Sequence, residues 1–228
     1  MAEFPSPNFD ERPDSMPIDM LVLHYTGMPT AEDALARMCD PAARVSAHYM
    51  IDEDGTVHAL VPEDKRAWHA GVSSWRGETD INARSIGIEL VNPGREFGYR
   101  PFAQAQMAAL IVLARKILDR YPIPPRNVVG HSDIAPCRKT DPGELFDWTW
   151  LAREGIGMWP EEGDTSGADP DDIPAMLREF GYDTSDFAVA LMAFRRRFLA
   201  DQPGPPQLRE VARRLGALLS MAKNPDGT

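Results

Sequence analysis

His131, Lys139 and Asp141 stand close together in the stretch 130–143, GHSDIAPCRKTDPG. Pro136 and Pro142 deny that stretch a regular element throughout, and the valines of Asn127-Val128-Val129 ahead of it read as a strand end. The segment is therefore expected to be a stiffened loop held on a strand. Turned inward, His131 and Asp141 would offer a ring nitrogen and a carboxylate oxygen to one Zn2+ ion. A third donor must come from elsewhere, and His24, at the end of the apolar run Leu21-Val22-Leu23, is the candidate. Catalytic zinc keeps three protein ligands and an open position for water, whose pKa falls toward about 7.

Hydrolysis of an amide at such an ion also needs a base for the attacking water and a cation for the oxyanion of the tetrahedral intermediate. In residues 85–91, SIGIELV, alternation puts Ile86, Ile88 and Leu90 on one strand face and Gly87, Glu89 and Val91 on the other. Glu89, a lone carboxylate among small and apolar neighbours, is the candidate base. Lys139 is the candidate oxyanion stabiliser, its charge maintained near the metal by Asp141 and Glu89. Spacing alone leaves blander readings open: His24 as a satisfied core histidine, His131 and Asp141 as turn caps. His48 is expected in the core or a cleft wall, and His58 at the surface.

The elements that must position these residues follow from pattern. A strand ending at His24 is followed by a helix over 30–38, with Thr30 as cap and acids in its first turn. Residues 47–51 and 56–61 flank Asp52-Glu53-Asp54-Gly55 as a hairpin. Over 101–121 the apolar residues recur at three-to-four spacing, giving an amphipathic helix that covers the sheet and stops at Pro122. An acidic linker is expected over 155–172 and three further helices over 173–180, 185–199 and 207–222. The run Arg195-Arg196-Arg197 is read as the solvated face of the second of these. The chain thus divides into an N-terminal extension (1–19), a zinc domain (20–154), the linker, and a small all-α domain (173–228).

Composition bounds the partners. With 24 basic against 35 acidic residues the net charge is −11, which disfavours nucleic acid and anionic membrane surfaces. Two cysteines, Cys39 and Cys137, are expected as free thiols. The N-terminal stretch is acidic and proline-rich, without a basic n-region or apolar h-region, and no window approaches the roughly 18 apolar residues of a spanning helix. The expectation is a cytoplasmic protein with no membrane insertion, the periplasm being the alternative had a leader been removed. The sequence assigns no oligomeric state.

The segments VLHYTGM, RVSAHYMIDEDG, KRAWHAGVSSW, NARSIGIEL and GHSDIAPCRKTDPG, in that order, resemble the type 2 N-acetylmuramoyl-L-alanine amidases, relatives of the peptidoglycan recognition proteins. The resemblance spans roughly residues 20–150. It implies an α/β fold, a mixed central sheet flanked by helices, and one Zn2+ per chain on His24, His131 and Asp141, with Glu89 as general base and Lys139 as oxyanion stabiliser. It further implies that Arg44 holds a stem-peptide carboxylate, that Trp68 and His69 line a muropeptide cleft, and that Asn82 sits in the substrate-binding set. The implied reaction cleaves the amide between N-acetylmuramic acid, in its 1,6-anhydro form, and L-alanine during cytoplasmic peptidoglycan recycling. The alternatives are an envelope amidase acting on intact peptidoglycan, and a non-catalytic muropeptide-recognition protein. The C-terminal LREFGYDTSDFAVALMAFRRRF is similar to a three-helix peptidoglycan-binding module, whose second and third helices are joined by an Asp/Gly-containing loop where this chain has residues 202–206, QPGPP.

Overall fold

In chain order the elements are β1 (Ala2–Glu3), β2 (Phe9–Glu11), β3 (Met20–Tyr25), α1 (Ala31–Cys39), β4 (Tyr49–Ile51), β5 (Val57–Ala59), β6 (Lys65–Ala67), α2 (Ile81–Arg84), β7 (Ser85–Leu90), α3 (Gly94–Phe97), α4 (Gln104–Arg120), β8 (Val128–Gly130), α5 (His131–Ile134), α6 (Trp148–Arg153), α7 (Ile173–Phe180), α8 (Phe187–Phe198) and α9 (Leu208–Lys223). The computed structural model describes residues 2–160, 168–202, 204–205 and 207–223. Much of the acidic linker expected over 155–172, including Glu161, Glu162 and Asp164, lies outside the described residues.

Among the described residues one six-stranded sheet runs β1-β5-β4-β7-β3-β8, and β2 pairs with β6 in a separate ribbon. The sheet is mixed. β3 lies parallel to both β7 and β8, and β4 parallel to β7, while β4 and β5 form the antiparallel hairpin, with Gly55 at φ +89° in its turn. The mixed sheet with flanking helices is the expected class, and the C-terminal helices are present as expected.

Period-two alternation gives the sheet its two faces. Leu21 and Leu23 of β3 pack with Ile86, Ile88 and Leu90 of β7 against Met107, Leu110, Ile111, Ala114 and Ile117 of α4. Met20 and Val22 face the other way. With Val129 and Ile134 they enter a core built mainly from Phe180, Phe194, Phe198, Leu215 and Leu218 of the C-terminal helices and Tyr182 of the loop after α7. Those helices thus share a hydrophobic interior with the sheet. Each fully buried side chain of this size contributes about 1.5–3 kcal/mol of transfer free energy, so the contact is far from incidental.

Three expectations meet a different arrangement. Residues 1–19 do not hang off the fold: β1 extends the sheet, β2 pairs with β6, and the Arg12 guanidinium donates to the carbonyls of Glu63, Asn82, Ala83 and Ser85. The stretch after β8 is not loop from its first residue. It opens with one helical turn, α5, which ends just before Pro136, where the ring would remove the next N–H. Arg197 is not solvated either. It is 4% exposed, donates to Asp133 at 2.8 Å and to the Val128 carbonyl at 3.1 Å, and stacks 3.9 Å above the Trp148 ring. A run of three arginines on a helix wraps far enough around the axis that one of them turns inward.

Asp133 answers with both oxygens. One accepts from Tyr182 at 2.7 Å, and the other, besides Arg197, from the Gly130 N–H at 2.8 Å. Because removing one member of a buried pair strands the other, Arg197→Met is expected to cost about 3–5 kcal/mol in urea unfolding. Adding Asp133→Asn should recover part of that. A loss below about 1 kcal/mol, the scale of an exposed pair, would contradict the burial argument.

Candidate metal centre and catalytic site

Register places the reactive residues. In the parallel pairing of β3 with β7, His24 lies opposite Glu89, and in that of β3 with β8, Leu23 lies opposite Gly130, so that His131 follows at the level of His24. All three emerge at the carboxyl ends of adjacent parallel strands, the edge at which α/β sheets hold ligands. Parity sets the direction. His24 shares its face with Met20 and Val22, and Glu89 shares its face with Ser85 and Gly87.

The loop after α5 returns Asp141 to this edge. Ser132 N–H donates to the Asp141 carbonyl at 2.9 Å, and Tyr99 donates to the Pro142 carbonyl at 2.7 Å. Thr140 Oγ1 meets the Tyr25 hydroxyl at 3.2 Å. The result is a triangle of donor atoms: His24 Nδ1 and His131 Nδ1 are 2.9 Å apart, and each is 3.1 Å from Asp141 Oδ2. His24, His131 and Asp141 are all buried.

Whether the triangle suits a cation depends on where the ring protons are. His131 Nε2 lies 3.1 Å from the Ala70 carbonyl, which can only accept, so Nε2 carries the proton and Nδ1 presents its lone pair. His24 Nε2 is occupied in turn by His69 Nδ1 at 3.0 Å. Two imidazole lone pairs and a carboxylate oxygen repel one another at these separations unless a positive ion lies among them. Ligands held about 2.0–2.2 Å from one tetrahedral ion stand roughly 3.3–3.6 Å apart, a few tenths of an ångström more than this triangle, so a small outward shift of the donors would seat a single divalent cation. Among the described residues these three form the group that could hold one.

Glu89 is partly exposed, with its Oε2 enclosed and without a hydrogen-bond partner. Burial, with Asp141 adding to it and Lys139 opposing it, raises its carboxyl well above the ordinary range. Lys139 is half-buried, and its charge bears on both Glu89 and His24. The five residues singled out for chemistry are thus brought to one place.

The other four are not all brought to one surface. Arg44, exposed and at φ +50°, holds its guanidinium 5.3 Å from the Trp68 ring, whose Nε1 donates to Asp10 at 2.9 Å. His69 and Asn82, read as substrate-binding, are 6% and 7% exposed, and both ring nitrogens of His69 and the side-chain oxygen of Asn82 are bonded inside the protein. Asn82 Oδ1 accepts from the N–H groups of His69 and Ala70 at 3.0 and 2.7 Å. His48 is buried, accepts from Gly87 N–H at 2.9 Å and stays off the cluster, while His58, expected at the surface, is 8% exposed beneath Phe4. Sequence reasoning missed Ser85 and Arg138. Ser85 was within reach, since it shares the parity of Glu89.

The family model described as N-acetylmuramoyl-L-alanine amidase matches residues 14–144. The chain belongs to this amidase family. Among its relatives, the N-acetylmuramoyl-L-alanine amidase AmiD of Escherichia coli is 39% identical over 209 residues, covering 79% of this chain and 75% of that protein. The 1,6-anhydro-N-acetylmuramyl-L-alanine amidase AmpD of E. coli is 43% identical over 161 residues, covering 63% of this chain and 86% of that one. The solved complex of E. coli AmiD with anhydro-N-acetylmuramic acid-L-Ala-D-gamma-Glu-L-Lys superimposes with a TM-score of 0.82 at 34% identity, over 93% of this chain and 97% of that one. That alignment is too long to omit the C-terminal helices, whereas the AmpD match is shorter.

The buried histidines of the amidase give it a pH signature. Burial, then His131, holds His24 down to about 4 against the raising influence of Asp141, and burial, then Arg12, holds His48 down to about 3. Burial and the neighbouring histidines push His69 well below its ordinary value. An unfolded histidine titrates near 6.5, so below that pH the unfolded chain takes up protons that the folded one refuses. Each histidine's contribution is whole above about pH 6.5 and declines as pH falls toward 4, by at most about 1.4 kcal/mol per unit. Glu89 runs oppositely, since its raised carboxyl favours the folded state at low pH and loses that contribution as pH rises. Burial raises Asp141, but the imidazoles of His131 and His24 outweigh it and hold the carboxyl below the usual range, so it titrates beneath this window. Three groups against one, the chelator-stripped amidase should unfold at lower urea at pH 5.0 than at pH 7.5, and an equal or higher midpoint at pH 5.0 would contradict this balance.

Proposed function

We propose that this amidase hydrolyses the amide between N-acetylmuramic acid in its 1,6-anhydro form and the L-alanine of the stem peptide, with one Zn2+ on His24, His131 and Asp141. The observation that carries it is the pairing of that donor triangle with Glu89, whose enclosed Oε2 is unpartnered directly across the strand register from His24. The substrate class is supported by the ligand in the AmiD complex and by the wording of the AmpD name. Zinc, when bound, supplies a Lewis acid and lowers the pKa of a coordinated water toward about 7.

The protein's own groups do the rest. Glu89 takes a proton as the water oxygen bonds to the amide carbon, a task for which a raised carboxyl is the stronger base. The ammonium of Lys139 faces the oxygen on which negative charge collects. When the C–N bond breaks, Glu89 returns its proton to the leaving nitrogen of L-alanine. The products are a lactyl carboxylate on the sugar and a free peptide amine. Arg44, beside Trp68, is assigned to a carboxylate of the stem peptide, a role suited to a planar guanidinium.

The compartment we propose is the cytoplasm, with the enzyme serving wall recycling. What supports it is that Cys137 is exposed and that Cys39 and Cys137 are both free, as a reducing compartment permits. Amidase found only outside the inner membrane on fractionation of native cells would overturn that placement. No helix among the described residues is long and apolar enough to cross a membrane.

Incubation with anhydro-N-acetylmuramyl-tripeptide should release anhydro-N-acetylmuramic acid and tripeptide, identified by mass. Glu89→Gln should keep its zinc and lose about 10²–10⁴-fold in kcat. Chelation should abolish turnover and added Zn2+ restore it. Zinc-loaded wild type that binds the substrate and releases no peptide would replace this reading with a recognition protein.

A further inference from the structure

His69 and Ala70 lie between the two metal histidines and touch both. His24 Nε2 meets His69 Nδ1 at 3.0 Å, and His131 Nε2 meets the Ala70 carbonyl at 3.1 Å. We propose that this dipeptide, pinned by Asn82, is the positioning element that fixes the tautomer of both metal-binding imidazoles, rather than a wall of the substrate cleft.

The protons can be followed one at a time. The Ser85 hydroxyl donates to the Ile81 carbonyl at 2.6 Å, which leaves its oxygen to accept. Facing that oxygen at 3.2 Å is His69 Nε2, which therefore carries a proton. In a neutral ring Nδ1 is then an acceptor, and it receives the proton of His24 Nε2. His24 Nδ1 is left bare on the side of His131 and Asp141. For His131 the argument is shorter, because a carbonyl cannot donate. Both rings are fixed with Nδ1 toward the ion, and both by consecutive residues.

Two independent features build the seat for this dipeptide. Asn82 Oδ1 accepts from the N–H of His69 and of Ala70, which fixes the two peptide planes leading up to the Ala70 carbonyl that serves His131. Gly87 supplies the space: a Cβ there would lie 2.5 Å from His69 Cγ, so the ring packs flat on a strand that has no side chain at that point. Ser85, Gly87 and Glu89 thus divide one strand face into an acceptor, a gap and a base. Arg138 closes the arrangement from the loop of Lys139, donating to the same Ala70 carbonyl at 3.1 Å. None of these bonds leaves His69 or Asn82 an evident polar atom for substrate other than the Asn82 amide nitrogen. Partners beyond the ligands commonly change metal affinity 10–100-fold when removed.

The inference rests on the metal centre proposed above and makes no use of the substrate. Its test is the zinc affinity of substrate-free protein, measured by chelator competition for wild type, His69→Phe, His69→Gln and Ser85→Ala. His69→Phe should bind zinc about 10–100-fold more weakly. His69→Gln, whose amide oxygen can still accept from His24, should fall between it and wild type. Long-range 1H–15N spectra should show His24 and His131 protonated at Nε2 in wild type, and His24 as a tautomer mixture in metal-free His69→Phe. With zinc saturating, the loss in the His69 variants should fall on kcat with KM within about twofold of wild type. Unchanged zinc affinity with a raised KM would overturn the proposal and return His69 to the cleft wall, as would His69→Gln no better than His69→Phe. Should His69→Phe fail to fold, Ser85→Ala and His69→Gln decide on the same readouts. Wild type that binds no zinc would instead remove the metal centre itself.

Discussion

The parallel register of β3 against its two neighbours is the constraint on which the site depends. With Leu23 opposite both Ile88 and Gly130, the next residue on each strand arrives at one edge of the sheet, and those residues are His24, Glu89 and His131. A slip of one residue on β3 would turn His24 into the α4 core and put Leu23 at the ion. That slip is resisted along the whole strand, since Leu21 and Leu23 on one side and Met20 and Val22 on the other are buried in different cores. The candidate metal centre is therefore held to its geometry by hydrophobic packing many residues away, and only Asp141 depends on a loop.

That arrangement concentrates polar groups where water is scarce, and most are answered. Lone pairs converge on a point suited to a cation, ring protons go to Ala70 and His69, and Asp133 is enclosed by Tyr182, Arg197 and Gly130 N–H. One exception is Glu89 Oε2, enclosed without a partner. A buried unpaired carboxylate oxygen carries a desolvation cost, and its place beside the donor triangle gives that cost a use if, as proposed, the carboxyl it raises is the base. The C-terminal helices belong to this account. Tyr182 and Arg197 reach Asp133 two residues beyond His131, so the C-terminal segment braces the turn that carries a candidate metal ligand.

The sheet, the long helix and the C-terminal helices could be read from the chain because they follow from alternation and three-to-four spacing, which are local. Glu89 was legible for the same reason, as a carboxylate out of keeping with its strand face. The roles of His69, Asn82 and Arg197 were not. A histidine beside a tryptophan looks the same whether its ring meets substrate or a second histidine, and the difference lies in Gly87, eighteen residues on, which leaves room for it. An arginine in a basic run looks solvated until the helix is packed against an aspartate 64 residues earlier. The N-terminal strands were illegible because their partners, β5 and β6, lie 50 or more residues away and the strands are too short to carry a pattern of their own.

The claim beneath the rest is that two imidazoles and one carboxylate share an ion through their Nδ1 and Oδ2 atoms. Anomalous diffraction at the zinc edge from zinc-loaded crystals tests it without reference to turnover. The account predicts one peak about 2.0–2.2 Å from His24 Nδ1, His131 Nδ1 and Asp141 Oδ2. A peak elsewhere, or ligation through Nε2 of either histidine, would contradict it.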